Sequence, residues 1–329
     1  MNPLYATTKS CSRVCLFFLS TLLLGCQVFA TAAPARLLDF QSEERTLGFT
    51  FDHPLKSAHM TTEPPDLLSP AILQGNRVSL KRQVEPPGQE IRYSLEVQDA
   101  QGTVTGIQGS YWGLNPRVAL LRLSEIRTAG NSRNPDALEL EVVKAGSLAG
   151  LCLDLTSPGR FERFNFPEQD VQAGQFLVLV AGPRCPSPLP GKVFFWAIPG
   201  LTNQGLLVLR TAPDKGAQDA FLWGKDLKRA SSLLQVYHHR EPRAWTSQAP
   251  WTGPPWWPEG ATATRTWCRL KESASPAGVS QWLLVANGCQ TLGKANRLIP
   301  YEESPGKTLS AKVAKKKKTK KGRSPQAPK

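Results

Sequence analysis

The residues able to do chemistry are few and poorly spaced for it. A chain of 329 residues holds only four histidines: His53, His59, His238 and His239. His238 and His239 are neighbours, so on a strand they would face opposite sides and could not share a ligand. No H-E-x-x-H or H-x-E run surrounds them, and both are expected as exposed loop residues. Ser304-Pro305-Gly306-Lys307-Thr308 ends as a phosphate-binding loop ends, but the motif's first glycine would fall at Tyr301. There is no G-x-S-x-G nucleophile elbow. Glu125, Glu139 and Glu141 suggest paired carboxylates. Alternation along a strand, however, puts Glu139 and Glu141 together on its solvent face, where a surface role is expected. None of the cysteine spacings is the C-x-x-C of a zinc ribbon or a thioredoxin-type site. No catalytic residue, metal site or cofactor is expected, and the chain reads as non-enzymatic.

Charge offers more. The net charge is +14, from 40 Lys and Arg against 26 Asp and Glu. Ten basic residues and no acid follow Gly306, so the basic character belongs to a tail and not to a folded face. That tail, residues 300–329, has almost nothing to bury and repels itself, so disorder is expected. Its Lys312, Lys315, Lys316, Lys317, Lys318, Lys320, Lys321 and Arg323 should be drawn to a dense anionic surface: acidic lipid headgroups, acidic glycans or nucleic acid. A solubilising tail without a dedicated partner is the alternative.

The chain begins as an export signal does. Lys9 and Arg13 precede an apolar run, Val14 to Gly25, that is too short to span a bilayer as a helix. Small residues follow through Ala30-Thr31-Ala32-Ala33. A basic head, a short apolar middle and a small-residue exit define a secretory signal peptide. Leu23-Leu24-Gly25-Cys26 resembles the lipobox of bacterial lipoproteins, of a kind met in spirochaetes. That resemblance implies cleavage after residue 25 and acylation of Cys26; ordinary cleavage after Ala30 or Ala32 is the competing mode. Several acyl chains would hold the protein firmly, where one chain alone is marginal. Export also argues against nucleic acid as the tail's partner. It leaves Cys152, Cys185, Cys268 and Cys289 in an oxidising compartment. Four cysteines allow three connectivities. Cys268 with Cys289 and Cys152 with Cys185 each bracket a strand and a turn; buried free thiols are the alternative.

The elements that would carry these residues are strands. Leu47 to Phe51, Val78 to Lys81 and Ile91 to Gln98 alternate apolar and polar residues. Asp99-Ala100-Gln101-Gly102 is a hairpin turn, returning through Thr103 to Ile107. Glu63-Pro64-Pro65 and Glu85-Pro86-Pro87-Gly88 are loops. Residues 36–114 read as a small β-sandwich similar to a bacterial Ig-like module, after a linker over 26–35. Gly113-Leu114-Asn115-Pro116 marks a boundary. Strands are then expected at Val118 to Ile126, Asp136 to Val142, Leu151 to Leu155, Gly174 to Val180, Val193 to Ile198, Gly205 to Arg210 and Ala220 to Trp223. Residues 225–261 form a Trp- and Pro-rich insert with Trp245, Trp251, Trp256 and Trp257. It is either a binding platform for sugar or peptide or a long loop folded over a sheet edge.

Within 118–299 the order of motifs resembles the lamin tail domain. The residues are Leu123-Ser124-Glu125-Ile126, Ala137-Leu138-Glu139-Leu140, Gly150-Leu151, Phe166-Pro167 and Ala173 to Leu179. Thr264 to Arg269, Gln281 to Ala286 and Thr291-Leu292-Gly293-Lys294-Ala295-Asn296 resemble that family's closing signature, with Leu292 where proline is usual and Gln281 where aspartate is usual. The resemblance implies an immunoglobulin-type β-sandwich used for attachment to membrane, nucleic acid or protein, with no activity of its own. The expected fold is therefore all-β, two tandem immunoglobulin-like sandwiches and a basic tail. The expected function is that of an envelope lipoprotein that tethers or scaffolds; a surface adhesin for host matrix or acidic glycan is the alternative.

Overall fold

A computed structural model of the chain describes residues 33–182, 189–224, 227–241, 251–252, 261–270 and 277–302. Those residues are mostly β. They fall into two compact units, one of 33–60, 70–81 and 94–107, the other of 61–69, 82–93 and the residues from 108 onward.

Seven strands open the described chain: β1 (Leu37–Ser42), β2 (Thr46–Phe51), β3 (Leu55–Glu63), β4 (Ile72–Gln74), β5 (Arg77–Lys81), β6 (Glu90–Asp99) and β7 (Val104–Trp112). Four make an antiparallel sheet in the order β1-β2-β5-β4, and three make a second in the order β3-β6-β7. β2 shows why. Leu47, Phe49 and Phe51 recur every second residue and are fully buried, with Leu47 opposite Leu80 and Phe49 opposite Val78 on β5. β6 keeps the alternation expected of it: Ile91, Tyr93, Leu95 and Val97 are buried, while Arg92, Ser94 and Glu96 are exposed. The β6–β7 turn is tied by Asp99, whose Oδ1 accepts from the N–H groups of Gln101 at 2.9 Å and Thr103 at 2.8 Å. Gly102 supplies the positive φ of 87° that the turn needs.

Fourteen further strands and one helix follow: β8 (Leu120–Arg127), β9 (Asp136–Lys144), β10 (Gly146–Ser147), β11 (Cys152–Ser157), β12 (Arg160–Asn165), β13 (Asp170–Val171), β14 (Phe176–Ala181), β15 (Lys192–Trp196), β16 (Gln204–Arg210), β17 (Ala217–Gly224), α1 (Leu227–Arg240), β18 (Trp251–Thr252), β19 (Trp267–Arg269), β20 (Ala277–Gly278) and β21 (Trp282–Leu284). The two principal sheets run β12-β11-β16-β17 and β15-β14-β9-β8-β19-β21. Their apolar faces meet in one cluster, in which Leu123, Leu138, Leu140 and Leu179 of one sheet pack with Leu153, Leu155, Leu207 and Phe221 of the other. Interior faces of this kind remove the apolar residues of both sheets from water together.

The stretch 225–261 is not simply a loop, because its first part is α1. Leu233 and Tyr237, four residues apart, are buried and join the core, with Leu234 packed beside them. That spacing places them on one helical face. His238, His239 and Arg240 fill the last turn, where positive charge suits the carbonyl end of the helix. His238 and His239 are thus exposed as expected, but on a helix and not a loop. Trp251 is buried in the core; Trp245, Trp256 and Trp257 lie outside the described residues, as do 303–329.

Candidate functional site

The polar constellation with the strongest claim to function is a pair of carboxyl groups inside the protein. β8 and β9 are antiparallel and place Glu125 opposite Glu139. A register shift between Leu123 and Glu125 resets the alternation, so Ile126 enters the core and Glu125 turns to the other face beside Glu139. Both are 0% exposed. The expected solvent position of Glu139 is therefore incorrect. Leu292 packs there with Ala137, Val178 and Val180, and Leu189 and Val193 pack against them, so chain covers what alternation alone would leave wet. Glu141 fits the surface expectation better: it is part-exposed and pairs with Arg122 at 2.6 Å.

The covering turn supplies the donors. Thr291 gives Glu125 Oε2 its N–H at 2.9 Å and its hydroxyl at 2.8 Å. Thr266 gives Oε1 its hydroxyl at 2.8 Å. Gly293 donates its N–H to Glu139 Oε2 at 2.6 Å. Asn296 closes the turn by donating Nδ2 to the Ser124 carbonyl at 3.0 Å and hydroxyl at 3.1 Å. Gly293 has φ 87° and lies so close to the Pro190 carbonyl oxygen that a Cβ would collide with it. Burial pushes Glu125 upward against these hydrogen bonds. Burial, with the Glu125 charge adding to it, pushes Glu139 to about 8. Glu139 Oε1, itself buried, has no partner at hydrogen-bond distance among the described residues, while the nearby Ser124 hydroxyl and Lys294 N–H work against the upward push.

A second constellation sits on the opposite sheet. Asp154 of β11 accepts from Arg163 Nε at 2.6 Å and Nη2 at 3.0 Å, from Arg210 Nη1 at 3.3 Å and from the Tyr237 hydroxyl at 2.9 Å. Glu241, just past α1, meets Arg210 at 2.7 Å and Arg163 at 3.0 Å. Asp154 and Arg210 are 0% exposed. The cluster fastens α1 to β11, β12 and β16. A third buried pair, Asp219 and Arg269 at 2.7 Å, links β17 to β19, and Asp219 also accepts the Leu123 N–H at 2.8 Å. Burial pushes Asp219 upward, with Arg269 opposing.

Neither ion-pair cluster follows from the sequence pattern. Their one legible signal was a charge inside or at the end of an apolar run: Asp154 within Leu151 to Leu155, and Arg210 closing Leu206 to Leu209.

Of the cysteines singled out, Cys152, Cys268 and Cys289 are free and buried; Cys185 and Cys26 lie outside the described residues. Cys268 and Cys289 share one apolar cluster with Val285. They are brought together as buried free thiols, the alternative to a bridge between them, each filling space as a small hydrophobe. Burial, then the Asp154 charge, pushes the Cys152 thiol up to about 12; burial, then Glu125, pushes Cys268 higher still. Thiols so held are poor nucleophiles. At pH 8 alkylation of Cys152 in the native protein is expected to be more than about a thousandfold slower than in denaturant, as the thiolate fraction dictates; mass spectrometry of the labelled peptide checks this.

Chemically, the carboxyl pair can hold a proton, and the ion-pair clusters can hold elements together. Among the described residues no group of three or more His, Cys, Asp or Glu could hold a metal ion. The tail lysines, Lys312 to Lys321, and Arg323 lie outside the described residues.

A family model named TP_1001_2nd, described as "protein second domain", matches residues 119–182. That span runs from the start of β8 to the end of β14 and so includes both Glu125 and Glu139. No curated protein matches the chain.

Proposed function

We propose that the chain is an exported envelope lipoprotein, held by lipid on Cys26, that tethers or scaffolds and catalyses no reaction. The observation that carries this reading is Leu23-Leu24-Gly25-Cys26 directly after a short apolar run with a basic head. Two Ig-like sandwiches, the second of lamin-tail type, offer binding surfaces for protein, and the lysine tail binds a polyanion of the envelope. The ion-pair clusters support the reading, because Asp154 with Arg210 and Asp219 with Arg269 are paired and buried. The reading requires no spanning helix, and among the described residues none is long and apolar enough to cross a membrane.

Metabolic labelling with a clickable fatty acid tests the anchor. Label on the wild type that is lost in Cys26→Ala is the expected result; no label, or label that persists in the variant, refutes it. Heparin retention tests the tail. The full-length mature protein is expected to elute at clearly higher salt than one lacking 307–329, since each released counterion steepens the salt dependence. Equal elution salt would remove the tail from the function. Strong retention after tail removal would favour the adhesin reading.

A further inference from the structure

Two carboxyl groups stand opposite each other across β8 and β9 with no water-exposed surface, and among the described residues the turn 291–296 lies over both. The turn reaches both: Thr291 caps Glu125 and Gly293 caps Glu139. It also carries Leu292, which roofs Ala137, Val178 and Val180. We propose that Glu125 and Glu139 form a protonation switch for the 291–296 turn: one proton held on the pair keeps the turn closed over this apolar patch, and loss of that proton loosens it.

The geometry requires a shared proton more than it requires two charges. Two carboxylates at the spacing of directly opposed residues repel strongly in a dry site. Donors reach both carboxyls, with Gly293, Lys294 and the Ser124 hydroxyl acting on Glu139. Three reach Glu125. Glu139 Oε1 has no partner at hydrogen-bond distance among the described residues, and burial together with the Glu125 charge favours the proton on Glu139. Among the described residues, Arg127 of β8 is the cation that acts on the pair, and it acts on Glu125, which suits that group to carry the charge. Cys268 of β19 is a neutral thiol whose own ionisation the pair opposes. The turn brings Lys294 through its backbone N–H, with its side chain exposed. Val178 and Val180 of β14 and the Leu189-Pro190-Gly191 stretch bring no ionisable side chain.

The sign follows from linkage. Glu139 in the closed turn titrates near 8, against 4.5 for the ordinary group, so the closed state binds more protons than the open one between those values. Closure is fully favoured below about 4.5, weakens as pH rises, and levels above about 8, where both states are ionised.

Hydrogen exchange of the full chain, read at the peptide covering 288–299 and corrected for the intrinsic pH dependence of exchange, tests this. The opening constant is expected to rise by up to about tenfold per pH unit over that window and then level, while a reference peptide over β11 stays flat. Glu139→Gln, which carries its proton permanently, is expected to abolish the rise. An opening constant independent of pH in the wild type, or the same rise in Glu139→Gln, overturns the proposal. Should that variant fail to fold, infrared spectroscopy of the wild type decides: a protonated-carboxyl band present at pH 6.5 and gone at pH 9.5 is expected, and no such band at pH 6.5 overturns it.

Discussion

Phe221→Ala is expected to destabilise the second unit by about 3–5 kcal/mol, the range for deleting a large aromatic from a packed interior. Phe221 of β17 is 0% exposed. Four tryptophans surround its ring, with centroids at 4.5 Å for Trp282, 5.0 Å for Trp267, and 5.8 Å each for Trp223 and Trp251. These come from β17, β18, β19 and β21, so no single shift can close the hole, and a cavity that cannot collapse keeps its full cost. One effect works the other way. The indole N–H groups of Trp267 and Trp282 are buried without an acceptor among the described residues, and water entering the hole could partner them. A guanidinium titration followed by tryptophan emission measures the loss. A change below about 1 kcal/mol would show that the four indoles repack freely, contrary to close packing.

That aromatic knot also shows what the sequence makes legible and what it hides. β2 and β6 were readable residue by residue, because one face of each strand packs and the other is wet, and the period of two survives intact in Leu47-Phe49-Phe51 and Ile91-Tyr93-Leu95-Val97. Glu139 defeated the same rule. It stands on the correct face for a surface residue, but the turn at 291–296, more than 150 residues later in the chain, lies over it. The closing run Thr291 to Asn296 stands out by its Thr, Gly and Asn, yet nothing in it names the carboxyl groups that its N–H groups satisfy. The register shift at Ser124 is invisible for a related reason: Leu121, Leu123 and Ile126 are all apolar core residues, and only the pairing with β9 reveals the extra residue between them. α1 was masked by its neighbours. Prolines and tryptophans dominate 225–261 as a whole, and the helical spacing of Leu233 and Tyr237 is confined to its first third. Long-range ion pairs such as Asp154 with Arg210 leave no local pattern, since each partner merely interrupts an apolar strand.

The Asp154 cluster is where a single charge should matter most. Asp154→Asn keeps the shape and two acceptor lone pairs but removes the charge that Arg163 and Arg210 share. Arg210 is fully buried, and its Nη2 already lacks an acceptor among the described residues, so the variant leaves a cation in the interior with Glu241 as its remaining carboxylate among those residues. Breaking a buried pair costs about 3–5 kcal/mol where the surviving charge is stranded; Glu241 stays on Arg210 at 2.7 Å, so the loss is expected at the lower end of that range. Tyr237→Phe removes only the hydroxyl donor to Asp154 and should lose about 1.5–3 kcal/mol, the range for a hydrogen bond to a charged group. Both losses should fall on α1 first, since Tyr237 and Glu241 are its links to the sheet, and hydrogen exchange at 231–241 should rise before that of β16. The pair also makes a cycle. Asp154→Asn combined with Arg210→Met removes both charges, and the double variant is expected to be more stable than Asp154→Asn alone, as replacing a whole buried pair by apolar volume is tolerated better than halving it. Additive losses in the double variant would mean that Arg210 is held by Glu241 and the Lys215 carbonyl, with Asp154 a bystander.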